Sequence, residues 1–282
     1  MSDLKITVWK RYGHDRLYVN LPNGVAVAFL DRRTGQVTIL REEHRDAAMD
    51  ALARYLSSTA PAPSPPTPSP APSLPLLSAQ DDLALNRPGA ALRAKLAAAG
   101  PGPMKRAAAW LLRRDSEWDP WRKGLAGERR VGAELRRLSS SGWRVLHSVP
   151  LPREVDVDHL LIGPGGVFSI NTKHHRKANV WVGDDSVRVN HGRPRPYVRK
   201  SRAEAQRVQR ALGRHCDFDV PVEPVIVFVG VSELKCVVTL LDVRIYQERE
   251  IAALGPLHGV LNPDQIERVY QVARHRKAWA QA

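Results

Sequence analysis

The sequence predicts an α/β protein: a mixed central sheet flanked by helices, preceded by a small β-rich N-terminal domain and a proline-rich linker. Three observations carry this. Residues 61–75 hold eight prolines, a density that divides the chain with an extended, semi-rigid spacer. Before the spacer, four short runs rich in β-branched and aromatic residues are separated by turn signals. After it, strand-like and helix-like segments alternate, the pattern of a sheet covered by helices. The 282 residues suffice for one large domain or two small ones, and 43% hydrophobic residues supply a core.

Taken in order, "LKITVW", "RLYVNL", "VAVAFL" and "QVTIL" read as strands of a first domain, residues 1–57, with Asn23-Gly24 as a hairpin turn. A helix follows from Glu42 to Leu56, its apolar side traced by Ala47, Met49, Leu52, Ala53 and Leu56. Trp9, Tyr12 and Tyr18 read as core aromatics of this small domain rather than as a stacking surface. Residues 58–78 form the linker; it could also serve as a ligand for a proline-binding module. In a connector of residues 79–120, "LNRPGAALRAKLAAAG" and "MKRAAAWLLRR" read as short helices. The second domain, residues 121–282, opens with a helix from Leu125 to Leu138 and a strand from Trp143 to Val149. A hairpin around "GPGG" comes next, then the short segments "NVWVG" and "VRVN" and a basic helix from Val198 to Leu212. Strands "VEPVIVFVG" and "CVVTLLDVRIY" follow. Asn262-Pro263 opens the last helix, with proline at its first position.

Lys and Arg outnumber Asp and Glu by 43 to 29, a formal charge of +14. So basic a protein usually meets polyanions, nucleic acid first; the bland alternative is charge kept for solubility. Two cysteines, Cys216 and Cys236, outside any CxxC pair, argue against a disulfide framework or a zinc site. The first residues lack an apolar signal core, and the longest apolar run, "VIVFVGV", is far too short to span a bilayer. A cytoplasmic protein without a membrane partner is expected; a homodimer is left open.

The hairpin "DVDHLLIGPGGVFSINTKHH" carries the chemistry. With Pro164 and Gly165 as the turn, Gly163 faces Gly166, so Asp158 should oppose Asn171 and Asp156 should oppose Lys173. Alternation puts Asp158 on one face of its arm and Asn171 and Lys173 on the matching face of the other. His159 falls on the opposite face and reads as core. In the preceding helix Glu128 lies on the apolar stripe of Leu125, Val131 and Leu135, where a carboxylate needs a pairing group or a cation; the alternative is that it escapes to solvent at the helix N-terminus, where the dipole favours it. Two acids, an amide and a lysine can hold Mg²⁺ through oxygens. The alternative is a cross-strand Asp156–Lys173 salt bridge with Asp158 merely hydrogen-bonded.

The stretches "GERRVGAEL", "VDVDHLLIGPGGVFSINTKHH" and "PVIVFVG" resemble the nuclease-related domain (NERD) family of the PD-(D/E)xK nuclease superfamily, over roughly Gly124 to Gly230. The resemblance implies a restriction-endonuclease-like fold and a metal-dependent deoxyribonuclease using Mg²⁺ or Mn²⁺. It implies Glu128, Asp158 and the triplet Asn171-Thr172-Lys173 as the site, with metal held by Asp158, Asn171, the Thr172 carbonyl and Glu128. Asn171 departs from the pattern, which has an acid there. Either a weaker ligand set works, or an acid has migrated, or only nucleic-acid binding survives. For migration the nominee is Glu204, with Gln206 behind it; Asp156 is a further auxiliary acid.

From Lys173 to Arg214 the chain holds twelve Lys and Arg against three acids, a net of +9. Arg193, Arg195, Arg199, Lys200 and Arg202, with His174 and His175, are the expected phosphate contacts, giving salt-dependent, sequence-indifferent binding. The two histidines also read as strand-end packing, and the arginines as a solvated helix face. Trp118, Trp121 and Trp181 are expected to pack the domain boundary. The leading expectation is a nuclease on DNA. The alternatives are a non-catalytic nucleic-acid-binding protein, or a scaffold whose N-terminal domain recruits a protein partner.

Overall fold

The computed structural model describes residues 4–11, 14–22, 25–32, 35–56, 74–99, 118–153, 155–238 and 242–282. The chain divides into two compact units, Met1–Ser69 and Pro70–Ala282. The linker prolines up to Pro72, the segment "MKRAAAWLLRR", Tyr12 and the Trp9 side chain lie outside the described residues.

In the first unit β1 (Lys5–Arg11), β2 (His14–Asn20), β3 (Ala26–Asp31) and β4 (Val37–Ile39) form an antiparallel meander, followed by helix α1 (Arg45–Leu56). Leu17, Val19, Val27 and Leu30 bury one sheet face against Ala48 and Leu52. Of the expected stripe Leu52 is buried, but Met49 is 38% exposed, and the buried row runs through Ala48, four residues before Leu52, in place of Ala47 and Met49. Tyr18 is not a core aromatic either. It alternates with Leu17 and Val19 to the other face, where its ring lies 5.4 Å from that of Phe29.

The second unit contains α2 (Ala90–Ala99), α3 (Asp119–Arg137), β5 (Arg144–Leu151), β6 (Val155–Gly163), β7 (Gly166–His174), β8 (Asn179–Val182) and β9 (Val187–Val189). After these come α4 (Tyr197–Gly213), β10 (Val222–Val229), β11 (Glu233–Cys236), β12 (Arg244–Gln247) and α5 (Pro263–Ala273). The central sheet has the order β12-β10-β7-β6-β5; β7, β10 and β12 run parallel, while β5, β6 and β7 form an antiparallel meander. Because β11 joins β8 and β9 in a separate three-stranded sheet, "CVVTLLDVRIY" is not one strand: its start ends β11 and its end forms β12.

Alternation along the strands feeds two helix layers. Leu161, Phe168 and Ile170 meet Val131 and Leu135 of α3. Leu160, Ile162 and Val167 face the other way, toward Val208 and Leu212 of α4 and Val269 of α5. Each such side chain contributes about 1.5–3 kcal/mol on burial. α3 lies close to β7 because Gly127 has no side chain; a Cβ there would stand 3.0 Å from His174 Cβ and 3.2 Å from Thr172 Cγ2. The expected boundary at residue 121 falls too late. Leu83 is fully buried, the Leu83 amide donates to the Arg274 carbonyl (2.7 Å), and Arg274 pairs with Asp82, so residues 74–99 are sewn into this unit. Among the described residues no helix is long and apolar enough to cross a membrane.

Candidate active site

The hairpin ladder follows the count from its turn, Gly163 to Gly166, as far as His159 opposite Ile170. There it stops. β6 continues beside β5 and β7 beside β10, so the two arms part into a wedge. The Thr172 amide, which would have continued the ladder, donates instead to Asp158 Oδ2 at 2.6 Å. Asn171 Nδ2 donates to Glu204 Oε1 at 2.7 Å, and Ser169 Oγ donates to the same oxygen at 2.8 Å. Lys173 Nζ donates to Asn171 Oδ1 and to the Thr172 carbonyl, both at 3.2 Å, and lies over the Tyr197 ring, 5.5 Å from its centroid.

Glu128 enters from the α3 layer and is 6% exposed, while Glu204 enters from the α4 layer and is 8% exposed. The wedge lets both feel Asp158. Burial first, and then the Asp158 charge, push the Glu128 carboxyl up to about 9; Lys173 and the donating backbone N–H of Gly89 pull it back. Gly89 reaches this position with φ +75, left-handed backbone that suits glycine. The same two causes raise Glu204 to about 7, against its bonds from Ser169 and Asn171. Asp158 is raised by burial despite Lys173 and the Thr172 amide, and Asp156 is raised by burial despite Lys95.

Asp158, Asn171, Thr172 and Lys173 are thus brought together, Glu204 joins them through Asn171, and Glu128 is buried on the α3 side, bonded by the Gly89 amide and within reach of the Asp158 and Lys173 charges. Gln206 points to solvent and takes no part. Asp156 does not oppose Lys173; it pairs with Pro150 on β5, and its ion partner is Lys95 at 3.9 Å. The reason is the parting of the arms, which ends the hairpin count before it reaches Asp156. Among the described residues no three His, Cys, Asp or Glu side chains stand close enough together to hold a metal ion. A cation would therefore need the neutral Asn171 and Thr172 oxygens as well as carboxylates. That all-oxygen donor set suits Mg²⁺ or Mn²⁺.

Arg193, Arg195, Arg199 and Lys200 are exposed. Arg202 is not a phosphate contact: its side chain is 12% exposed, and its guanidinium bonds Asp242 (2.7 and 2.9 Å), Asp185 (2.6 Å) and the Asp184 carbonyl (2.6 Å). His174 Nδ1–H donates to the Lys123 carbonyl at 2.6 Å, tying α3 to β7. His175 stacks on Tyr197 (6.0 Å) and lies by Phe228 (6.5 Å); burial lowers it to about 4, so it is neutral. His159 is fully buried, as its strand face requires, with Nδ1 2.8 Å from His147 Nδ1. Trp118 and Trp121 pack on one another at 6.1 Å, and Trp181 is 38% exposed.

Sequence reasoning missed Ser169, Gly89 and Lys95. Ser169 was open to it, standing two residues before Asn171 on the same strand face. Nothing local marks Gly89 or Lys95, which come from a segment read as a connector.

An α/β domain with acids and a lysine gathered where two central strands part is the class that fold and site define. Residues 123–229 match the family model of the nuclease-related domain, NERD, whose general context is the PD-(D/E)xK superfamily. Neither a curated protein nor a solved structure matches the chain.

Proposed function

We propose that this site is the active centre of a metal-dependent nuclease that hydrolyses DNA phosphodiester bonds. One observation carries the reading: where the β6 and β7 arms part, Asp158 on the Thr172 amide and Glu204, buried on Ser169 and Asn171, stand beside Lys173, with Glu128 buried on the α3 side, in an otherwise strongly basic protein. Burial and mutual repulsion disfavour the charged forms of these carboxyls, a tension that added positive charge relieves. Asp158 and Glu204 would supply carboxylates to Mg²⁺ or Mn²⁺, and Thr172 and Asn171 carbonyl oxygens. Glu204 replaces the charge that Asn171 lacks. When bound, the cation polarises a phosphate oxygen and favours ionisation of water.

The chain's own groups do the rest. Lys173 places an ammonium beside the acids, where it orients the attacking water and stabilises negative charge growing on the phosphate. The Tyr197 ring, its centroid 5.5 Å away, holds that ammonium in place. Arg193, Arg195, Arg199 and Lys200 contact neighbouring phosphates.

A labelled DNA duplex or single strand incubated with Mg²⁺ or Mn²⁺ tests this. Wild type should cleave, and Asp158→Ala and Lys173→Ala should each lose at least a hundredfold in rate with unchanged circular dichroism, the scale of general acid–base groups. The second reading is a binding module without catalysis. It is favoured by Lys173 occupying the two oxygens, Asn171 Oδ1 and Thr172 O, that a cation would need. Wild-type protein that binds DNA but never cleaves it would establish that reading instead.

A further inference from the structure

We propose that Lys95, on a helix outside the nuclease-related segment, binds a substrate phosphate, and that α2 with Trp121 forms one bank of the nucleic-acid groove. This rests on the nuclease reading and extends it to a segment the family match does not cover.

The Lys95 ammonium stands 3.9 Å from Asp156 Oδ2 and 5.5 Å from the centroid of the Trp121 ring, with 41% of its side chain exposed. Among the described residues Asp156 is its charged partner, and 3.9 Å is a loose pairing. So exposed a pair contributes little to stability. Nor does α2 need it as an anchor. Asn86 Nδ2 donates to the His147 and Ser148 carbonyls (3.1 and 3.3 Å), the Ala91 amide donates to Ser148 Oγ (3.3 Å), and the Gly89 amide donates to Glu128. Leu92 packs where Gly124 leaves room for it.

A well-anchored helix that presents a loosely held cation to a rim acid is placed for another anion. The acids at the wedge repel a phosphodiester strand, so a strand lying over them needs cations on both sides. Lys173 and Arg195 stand on the β7 and α4 side. Lys95 is the matching cation on the β6 side, beside Asp156. The indole beneath it offers a face on which a base can stack.

The test is binding of a fluorescein-labelled single-stranded 20-mer by fluorescence anisotropy across a KCl series. Ca²⁺ replaces Mg²⁺, and full-length wild type, Lys95→Gln and Lys95→Arg are compared. Lys95→Gln should flatten the plot of log affinity against log salt by about 0.7, the share of one phosphate contact on a single strand. It should also weaken binding severalfold at low salt, and Lys95→Arg should restore both, with thermal midpoints alike in all three. A Lys95→Gln slope equal to wild type, or a fallen midpoint with unchanged affinity, would overturn the proposal and leave a structural ion pair. Wild type that binds no strand at any salt would overturn the nuclease reading along with it.

Discussion

Replacing Glu204 by glutamine separates a carboxylate kept for a cation from one that merely packs. Glu204 Oε1 accepts both Ser169 Oγ and Asn171 Nδ2, so a glutamine of the same shape keeps both bonds through its own oxygen. What changes is charge. The folded carboxyl sits at about 7 against an ordinary 4.5. At about 1.4 kcal/mol per pH unit, that gap is about 3 kcal/mol. The folded state holds the proton more tightly than the unfolded one, so stability falls as pH rises from 4.5 and levels off above 7. Metal-free wild type should therefore lose up to about 3 kcal/mol over this window that Glu204→Gln keeps. Urea denaturation at pH 5 and pH 8, followed through the buried Trp143 and Trp279, reads the difference. Millimolar Mn²⁺ at pH 8 should then return about 2–3 kcal/mol to wild type if it is near a hundredfold above its dissociation constant, and much less to the variant. Parallel pH dependences, or equal stabilisation of both proteins by Mn²⁺, would refute the argument.

Three other outcomes follow from the same geometry. Burial lowers His147 to about 4. A neutral folded histidine gives stability that is complete above pH 6.5 and lost as pH falls, about 2 kcal/mol between pH 7.5 and pH 5, and urea midpoints should show this limb flattened in His147→Gln. Arg202→Ala should destabilise by about 3 kcal/mol, because it removes a mostly buried side chain with its bonds to Asp242 and Asp185, yet leave the salt slope of nucleic-acid binding unchanged. Arg195→Ala should do the reverse, reducing that slope by about 0.7–0.9 with little change in melting temperature.

Much of the fold could be read from local pattern. The proline run marked the division, and the strands of the second unit announced themselves by β-branched runs. The hairpin register was readable because "GPGG" allows one tight turn, and every pair out to His159 and Ile170 then follows by counting. Counting cannot say where a ladder ends, which depends on each arm's other neighbour, so it gives Asp156 the wrong partner. The stripe of α1 is only partly right for a like reason: Leu52 is buried as expected, but Ala47, Met49 and Ala53 are exposed while Ala48 is buried, and only the docked sheet selects among them. Arg202 shows the limit of charge counting. Its partners Asp185 and Asp242 lie 17 and 40 residues away, so nothing local distinguishes a structural arginine from a free one.

The convergence of the acids depends on the parting of β6 and β7. α3 and α4 cover opposite faces of the sheet, and a continuous hairpin would keep their side chains in separate layers. Where the arms diverge, Glu128 from one layer and Glu204 from the other are both buried on the side of the opening, and the Asp158 charge raises the proton affinity of each. The opening costs the ladder its next bond, and the Asp158 carboxylate replaces it by accepting the Thr172 amide. Asp158 is thus both a structural stopper of the hairpin and the centre of the charge cluster. A change that keeps its acceptor but removes its charge, Asp158→Asn, should preserve the wedge and lower both glutamate pKa values, whereas Asp158→Ala frees the Thr172 amide as well. NMR titration of the two glutamates in the variants distinguishes these. Lowering of both by Asp158→Asn is the expected result, and an unchanged Glu204 would show that burial alone sets its proton affinity.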